Sequence, residues 1–167
     1  HYQSKGEFEN SLESLGYKSC KLSPFVCRMR NNQFSFEGKE YFLDHPPSQK
    51  HALHGLLYNK SFTVIKEEIH DSGASVTMSY EYNHINSGFP FNYDCVVTYK
   101  LASGNQLSLK TECINKSTEP MPIQDGWHPY FDLGDKVDNI ELSFQSSEQY
   151  IFDNELLPTG EKVPFTE

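Results

Sequence analysis

The sequence has little positive charge. Its 14 Lys and Arg residues are outnumbered by 23 Asp and Glu residues, which gives a formal net charge of −9. A nucleic-acid-binding surface needs clustered basic side chains that neutralise phosphates, so this balance argues against a nucleic-acid partner. The sequence also lacks an apolar run long enough to cross a membrane, and no segment has the pattern of a signal peptide. We therefore expect neither nucleic acid nor a membrane among its partners.

The sequence also has few Cys and His residues at the spacings that metal sites use. The cysteines lack the paired C-x-x-C spacing that is typical of zinc sites. They are Cys20, Cys27, Cys95 and Cys113. His51 and His54 are three residues apart, a spacing that suits a metal, but no third ligand is obvious, so we expect no metal site. Cys95 and Cys113 fall on the apolar faces of predicted strands, and we expect both to be buried free thiols.

Long helical stripes are missing too, because no segment repeats apolar residues at i, i+3, i+4 and i+7 over several turns. Most of the sequence alternates with period two instead. The runs "NYDCVVTYKL" and "NQLSLKTECI", joined by "ASGN", predict a β-hairpin with one buried face. The runs "ASVTMSYEY" and "IELSF" predict further strands, and "QFSFEGKEYFL" predicts a short hairpin that turns near Gly38. We expect one all-β domain over residues 1–167, an antiparallel β-sandwich.

The stretch "DGWHPYFDLG", residues 125–134, concentrates aromatic side chains around a histidine. Imidazoles in general can donate or accept a proton near neutral pH, so His128 is a candidate for proton transfer. Flanking aromatic rings suit a sugar, whose C–H faces pack on apolar surfaces while its hydroxyls need a few polar groups. A structural histidine bonded to a backbone carbonyl is the alternative that the residues leave open.

Two further stretches place Arg and His beside glycine or aromatic residues. His54 precedes Gly55, where the backbone can approach a ligand closely, although an ordinary loop histidine fits the same residues. Arg28 and Arg30 are two apart. They would share one face of a strand, whereas a loop would separate them.

Five stretches taken in order resemble the aldose 1-epimerase (galactose mutarotase) family. They are "PFVCRMRNNQFSFEGKEYFL", "HALHGLLYNKSF", "GFPFNYDCVVTYKL", "MPIQDGWHPYFDLG" and "LLPTGE". The resemblance covers nearly the whole chain beyond about residue 16. Its most specific parts are the spacing from the arginine to "LHG", the "GWHPYF" stretch and the "PTGE" turn.

The resemblance implies a β-sandwich of the large mutarotase (supersandwich) type that interconverts the α and β anomers of free aldohexoses without a cofactor. It implies that His128 is the general acid toward the ring oxygen and that His54 binds and polarises the same region of the sugar. Arg28 matches the arginine that holds sugar hydroxyls. We further predict that Trp127 forms a wall of the pocket and that Arg30 is a second, substrate-binding arginine.

Two departures from the family pattern are visible. Cys27 stands where the family commonly has a substrate-binding Asn, which weakens the expectation of standard hexose specificity. The family's general base is a glutamate near the C-terminus, and we do not match it to Glu167. We therefore expect a fragment of a longer enzyme, without the N-terminal strands and without the part that carries this glutamate. Such a chain would be slow or inactive, and a homodimer or a second chain would cover its unpaired sheet edges.

Two other functions remain open at this point. One is a carbohydrate-binding or sensing domain that keeps the pocket without turnover. The other is a hexose-phosphate mutarotase-like epimerase, for which Arg30 and Lys60 are candidate phosphate ligands. The family resemblance and the thiols together predict a cytoplasmic location.

Overall fold

The structure is a computed structural model that describes residues 3–46 and 49–166. Antiparallel strands dominate the described part of the chain, which also holds one short helix, α1, at Lys5–Ser11. In chain order the strands are β1 Lys21–Leu22, β2 Arg28–Met29, β3 Gln33–Phe36, β4 Lys39–Phe42, β5 Ala52–Leu53, β6 Thr63–His70, β7 Gly73–Asn83, β8 Asn92–Ala102, β9 Gln106–Asn115, β10 Gly126–Trp127, β11 Glu148–Phe152 and β12 Pro158–Pro164.

The largest sheet contains four strands in the order β6-β7-β8-β9. The predicted hairpin is confirmed as β8 and β9, which pair without a register shift from Tyr93↔Asn115 to Ala102↔Gln106. On β8 the side chains of Tyr93, Cys95 and Val97 are buried, while those on the opposite face are more exposed. The period-two alternation therefore predicted correctly which side chains are buried in the first half of β8.

Shorter sheets form a second layer against the buried face of the four-stranded sheet. Strands β3 and β4 pair around Gly38, whose φ of 74° suits glycine, so the short predicted hairpin is confirmed. Strand β2 pairs with β5. Aromatic and aliphatic side chains from both layers share one core, which holds Phe25, Leu57, Tyr82, Phe91 and Tyr93 among others. This two-layer arrangement confirms the all-β sandwich.

A third short sheet joins two distant parts of the chain. Strand β1 pairs with β10 through Lys21↔Trp127 and Leu22↔Gly126. The pairing continues one residue further, because the His128 amide donates to the Cys20 carbonyl at 3.1 Å. The Ser19 amide in turn donates to the His128 carbonyl at 2.7 Å. The backbone of His128 is therefore fixed by main-chain hydrogen bonds on both sides.

The N-terminal segment folds back onto this sheet. Its helix α1 begins at an N-cap, Ser4, whose hydroxyl accepts a hydrogen bond from the Glu7 amide. After the helix, the chain buries Leu12 and Tyr17 in a small cluster with Cys20 and Leu22. Seven helical residues make only about two turns, which is too short for a periodic signal, so no pattern in the sequence predicted this helix.

The predicted strand at residues 140–144 is wrong. Residues 137–139 form a 3₁₀ turn, Ile140 is extended, and residues 140–146 form no strand with any described residue. The side chains of Leu142 and Phe144 are 78% and 52% exposed. Alternation predicts which side chains share a face, but a strand also needs a hydrogen-bonded partner, and the described residues provide none here.

The end of the described chain is a hairpin of β11 and β12, whose connecting turn buries Leu157. None of the helices in the described ranges has the length and apolar character needed to cross a membrane.

Candidate functional site

Two histidines from distant parts of the chain meet in the structure. The ring centroids of His54 and His128, which we call the histidine pair, are 5.1 Å apart at an interplanar angle of 85°. The Tyr17 ring lies edge-on to His54 at 4.7 Å and 6.5 Å from His128. Tyr130 stacks on His128 at 5.4 Å. Two tyrosines therefore flank the pair and reduce its contact with water.

The position of His54 depends on an unusual backbone. Its φ is +63°, and its amide donates to the Cys27 carbonyl at 3.0 Å. The next residue, Gly55, has a φ of +83° and forms a parallel bridge with Ser23. A Cβ on Gly55 would lie 2.4 Å from the Ser23 carbonyl oxygen, so only glycine permits this approach. Gly55 therefore allows the backbone conformation that places the side chain of His54 beside His128.

Alternation in "WHPYF" separates the rings around His128 into two groups. Tyr130 lies on the same side as His128 and stacks on its ring. Trp127 and Phe131 contact each other on the other side, with centroids 6.4 Å apart. Trp127 also lies edge-on to Tyr99 of β8 at 6.3 Å, and no described residue bonds its buried Nε1. The structure thus places Trp127 with the sheet rather than beside His128, while its predicted role as a pocket wall stays a prediction.

The electrostatics of the pair favour a neutral His54. Burial is the largest of three effects, together with the charges of His128 and Arg28, that lower the pKa of His54 to about 4. No described residue hydrogen-bonds to His54 Nδ1, although this atom is buried. Above about pH 5 the imidazole is therefore uncharged and offers one hydrogen-bond donor and one acceptor. Burial also raises the pKa of Tyr17 to about 12, so that its hydroxyl keeps its proton.

The two arginines have different surroundings. Arg28 lies on β2 opposite Leu53 of β5, next to His54, and its charge contributes to the low pKa of that histidine. Arg30 starts the 3₁₀ turn after β2 and is exposed. Its Nη2 lies 2.7 Å from Asp153, and Glu155 is also within ion-pair distance. The structure therefore brings Arg28, but not Arg30, to the histidine pair.

The neighbouring His51 does not share a site with His54. Its Nδ1 accepts a hydrogen bond from the Asn31 amide at 3.1 Å, and its Nε2 lies 3.6 Å from Glu155. Within the described ranges, no cluster of three or more His, Cys, Asp or Glu side chains is arranged to hold a metal ion.

Sequence reasoning missed two contributions to the site. Tyr17 reaches the pair only because the N-terminal segment folds back, and nothing in its local sequence indicates this. The buried Lys21 forms an ion pair with Asp125 and donates to the Gly126 carbonyl at 3.1 Å. This contact supports β10, which directly precedes His128. The alternation of "WHPYF" was a usable signal that Tyr130, not Trp127, lies on the side of His128.

Comparison with known proteins agrees with the observed fold. A protein named aldose 1-epimerase from Streptococcus thermophilus is 35% identical over 78 residues, which are 46% of this chain and 22% of that protein. The solved structure of an aldose epimerase homologue from C. elegans has a TM-score of 0.78 at 22% identity. That of galactose 1-epimerase from Lactobacillus acidophilus NCFM has a TM-score of 0.79 at 15% identity.

These similarities cover unequal shares of the proteins compared. Each of the two structures aligns with 98% of this chain, and the chain covers 49% and 48% of their lengths. At these identities the structures establish the fold alone. The sequence profile of the family described as Aldose 1-epimerase matches residues 6–167, nearly all of the sequence. The chain therefore belongs to the aldose 1-epimerase family.

Proposed function

We propose that this chain carries part of the site of an aldose 1-epimerase that interconverts the α and β anomers of free aldohexoses. The observation that carries the proposal is the 5.1 Å approach of His54 and His128, with Arg28 beside them. Two imidazoles, one guanidinium and flanking tyrosine rings provide polar donors together with flat apolar faces. Monosaccharides need this combination because their C–H faces pack on rings while their hydroxyls require hydrogen bonds.

The proposed reaction is ring opening followed by reclosure. A base removes the proton from the anomeric hydroxyl, the C1–O1 bond becomes a carbonyl, and the bond from C1 to the ring oxygen breaks. His128 gives its proton to that ring oxygen as the bond breaks. Rotation about C1–C2 exposes the other carbonyl face, and the reverse steps close the ring. Each well-placed acid or base contributes roughly 10²–10⁴-fold to such a reaction.

His54 has a different role because it is neutral near pH 7. With a pKa of about 4 it is a poor proton donor at that pH, but it can hold the ring oxygen region by a hydrogen bond. Its neutrality also avoids a second positive charge beside His128. Arg28 supplies a fixed set of N–H donors for sugar hydroxyls. We assign the base to no residue of this chain, since the family resemblance implies a glutamate that we have not matched.

A non-catalytic carbohydrate-binding domain is the second candidate. The enclosure of the histidine pair by Tyr17 and Tyr130 favours it, because aromatic walls bind sugars without requiring turnover. A sugar-phosphate substrate receives less support. The charge of Arg30 is already compensated by Asp153 and Glu155, so little of it remains for a phosphate. A cytoplasmic location is proposed from the family resemblance alone.

Polarimetry on freshly dissolved α-galactose and α-glucose tests the proposal. We expect the chain to speed mutarotation above the buffer rate, with slow turnover because no base is assigned. His128→Ala should lower the enzyme-dependent rate at least 10-fold. The control is His84→Asn, since His84 is exposed and lies outside the histidine pair, and Asn tolerates its positive φ.

Sugar binding, followed by NMR shifts of the histidine ring protons, separates the two candidates. Binding without acceleration would favour the carbohydrate-binding domain. Acceleration that is equal in the wild type and in His128→Ala would contradict the role of His128 as the acid.

A further inference from the structure

Two cysteines face each other inside the four-stranded sheet. Cys95 on β8 and Cys113 on β9 are direct cross-strand partners in a register that has no shift between residues 93 and 102. Cys95 is fully buried, while Cys113 is half-buried, and both thiols are free. The proposed sugar chemistry uses neither of them.

The hydrogen-bonding pattern of the hairpin shows which kind of pair they form. The Lys116 amide donates to the Asn92 carbonyl at 2.8 Å, so residues 92 and 116 are a hydrogen-bonded pair. Such pairs alternate along an antiparallel ladder with non-hydrogen-bonded pairs. Three steps along, Cys95 and Cys113 are therefore a non-hydrogen-bonded pair. In pairs of this kind the Cα atoms are about 4.5 Å apart and the side chains approach most closely, which is within the range that a disulfide spans.

The surroundings give the two thiols unequal reactivity. The hydrogen bond from the Cys95 thiol lowers the pKa of Cys113, while the contact with Cys113 and burial raise the pKa of Cys95. The carboxylate of Asp125, 4.0 Å from Cys113 Sγ, opposes this lowering without cancelling it. The more exposed Cys113 is therefore the thiol that forms a thiolate more readily and meets a reagent first.

We propose that Cys95 and Cys113 form a reversible thiol–disulfide site, in which a small-molecule disulfide of the glutathione type converts the two facing thiols into a cross-strand disulfide. Cys113 acts as the attacking thiol and Cys95 as the resolving thiol. Small thiols at higher concentration reverse the reaction.

The reaction balances as two exchanges. Cys113 loses its proton to water, and its thiolate attacks one sulfur of glutathione disulfide, forming a mixed disulfide and releasing one glutathione thiolate. Cys95 then attacks the Cys113 sulfur and forms the cross-strand bond, while its proton passes to the departing second glutathione. In sum, two protein thiols are oxidised and one glutathione disulfide is reduced to two glutathione molecules.

Titration of the whole chain with glutathione disulfide tests the proposal. We expect the loss of two thiols relative to untreated protein, no retained glutathione, and a non-reduced peptide that joins residues 95 and 113. Dithiothreitol should restore both thiols. Peptide mapping of the unaltered chain does not depend on the folding of any variant.

Two variants separate the attacking from the resolving thiol. Cys95→Ala should stop at the mixed disulfide and retain one glutathione on Cys113, whereas Cys113→Ala should keep Cys95 unmodified. Cys27→Ser is the matched control, because Cys27 is also partly exposed and lies elsewhere, with its Sγ 3.8 Å from the Leu156 carbonyl. It should form the 95–113 bond as the wild type does. An unchanged thiol count, a bond between other cysteines, or glutathione retained by the wild type would overturn the proposal.

Discussion

His54 combines a left-handed backbone, a partly buried ring and a low pKa in one residue. Its pKa of about 4 lies well below the ordinary histidine value near 6.5. Folding therefore favours the uncharged imidazole, and the unfolded chain binds a proton more readily between these two values. The folded state loses stability as the pH falls from about 6.5 to about 4 and loses no more from this group below that range.

Replacing His54 by Asn should flatten this pH dependence. Asn tolerates positive φ, so the backbone is preserved while the titrating ring is removed. We expect the wild type to lose on the order of 2 kcal/mol more than His54→Asn between pH 7 and pH 4.5, after allowance for partial exposure of the ring. Urea denaturation at both pH values measures the difference.

His84→Asn is the control for this comparison. His84 also has a positive φ, +48°, but its side chain is exposed. It should keep the pH dependence of the wild type. An equal loss of stability in the wild type and in His54→Asn would show that the ring of His54 is not held in its neutral form.

At the residue scale, the sequence predicted several residues of the site but not how distant segments are arranged around them. The family stretches identified His54, His128 and Arg28, and the structure brings these three together. Tyr17 could not be predicted, because its place depends on how a segment more than thirty residues before His54 folds back. The different surroundings of Arg30 depend on acidic residues of the β11–β12 hairpin, which are over a hundred positions away.

At the scale of the element, the turn after β5 decides where His54 stands. Gly55→Ala should be destabilising for two reasons, a positive φ and a Cβ placed 2.4 Å from the Ser23 carbonyl oxygen. We expect a loss of at least about 3 kcal/mol, measured by thermal or urea unfolding. The histidine ring protons should also shift in NMR spectra, because the backbone must move.

Gly104→Ala provides the matched comparison. Gly104 has a similar φ of +80°, but a Cβ there meets nothing within 4 Å. It should cost only about 1–2 kcal/mol, the contribution of backbone strain. If both substitutions have the same effect, the contact between Gly55 and Ser23 is not a constraint on the site.

Strands were predictable where alternation and a sequence-adjacent partner occur together. The runs that became β8 and β9 are joined by a tight turn, so each alternating run has its partner beside it. The run at residues 140–144 alternates equally well but pairs with no described strand, and there the prediction failed. The two-residue strands β1 and β10 carry no periodicity at all, and only long-range pairing defines them.

At the scale of the whole molecule, the outer strands of the four-stranded sheet expose apolar side chains. Within the described residues these are β6 and β9, and they expose Ile69 and Ile114. Exposed edge strands with apolar side chains promote pairing with another chain. We expect concentration-dependent self-association in sedimentation velocity experiments, which Ile69→Lys or Ile114→Lys should weaken.

Val137→Lys is the control for this experiment. Val137 is 80% exposed, a value between those of Ile69 and Ile114, but it lies in a 3₁₀ turn outside the sheet. It should leave self-association unchanged. A wild-type chain that stays monomeric at every concentration would contradict the homodimer, one of the two ways predicted for covering these sheet edges, the other being a second chain.

The pairing of β1 with β10 has a consequence for synthesis of the protein. Lys21 contacts Gly126, which follows it by 105 residues. During translation His54 cannot contact His128 until residue 128 has emerged from the ribosome. Contacts of such long separation close late and slowly. The histidine pair therefore forms only after residue 128 has left the ribosome, and until then the segments that it joins are exposed to misassembly.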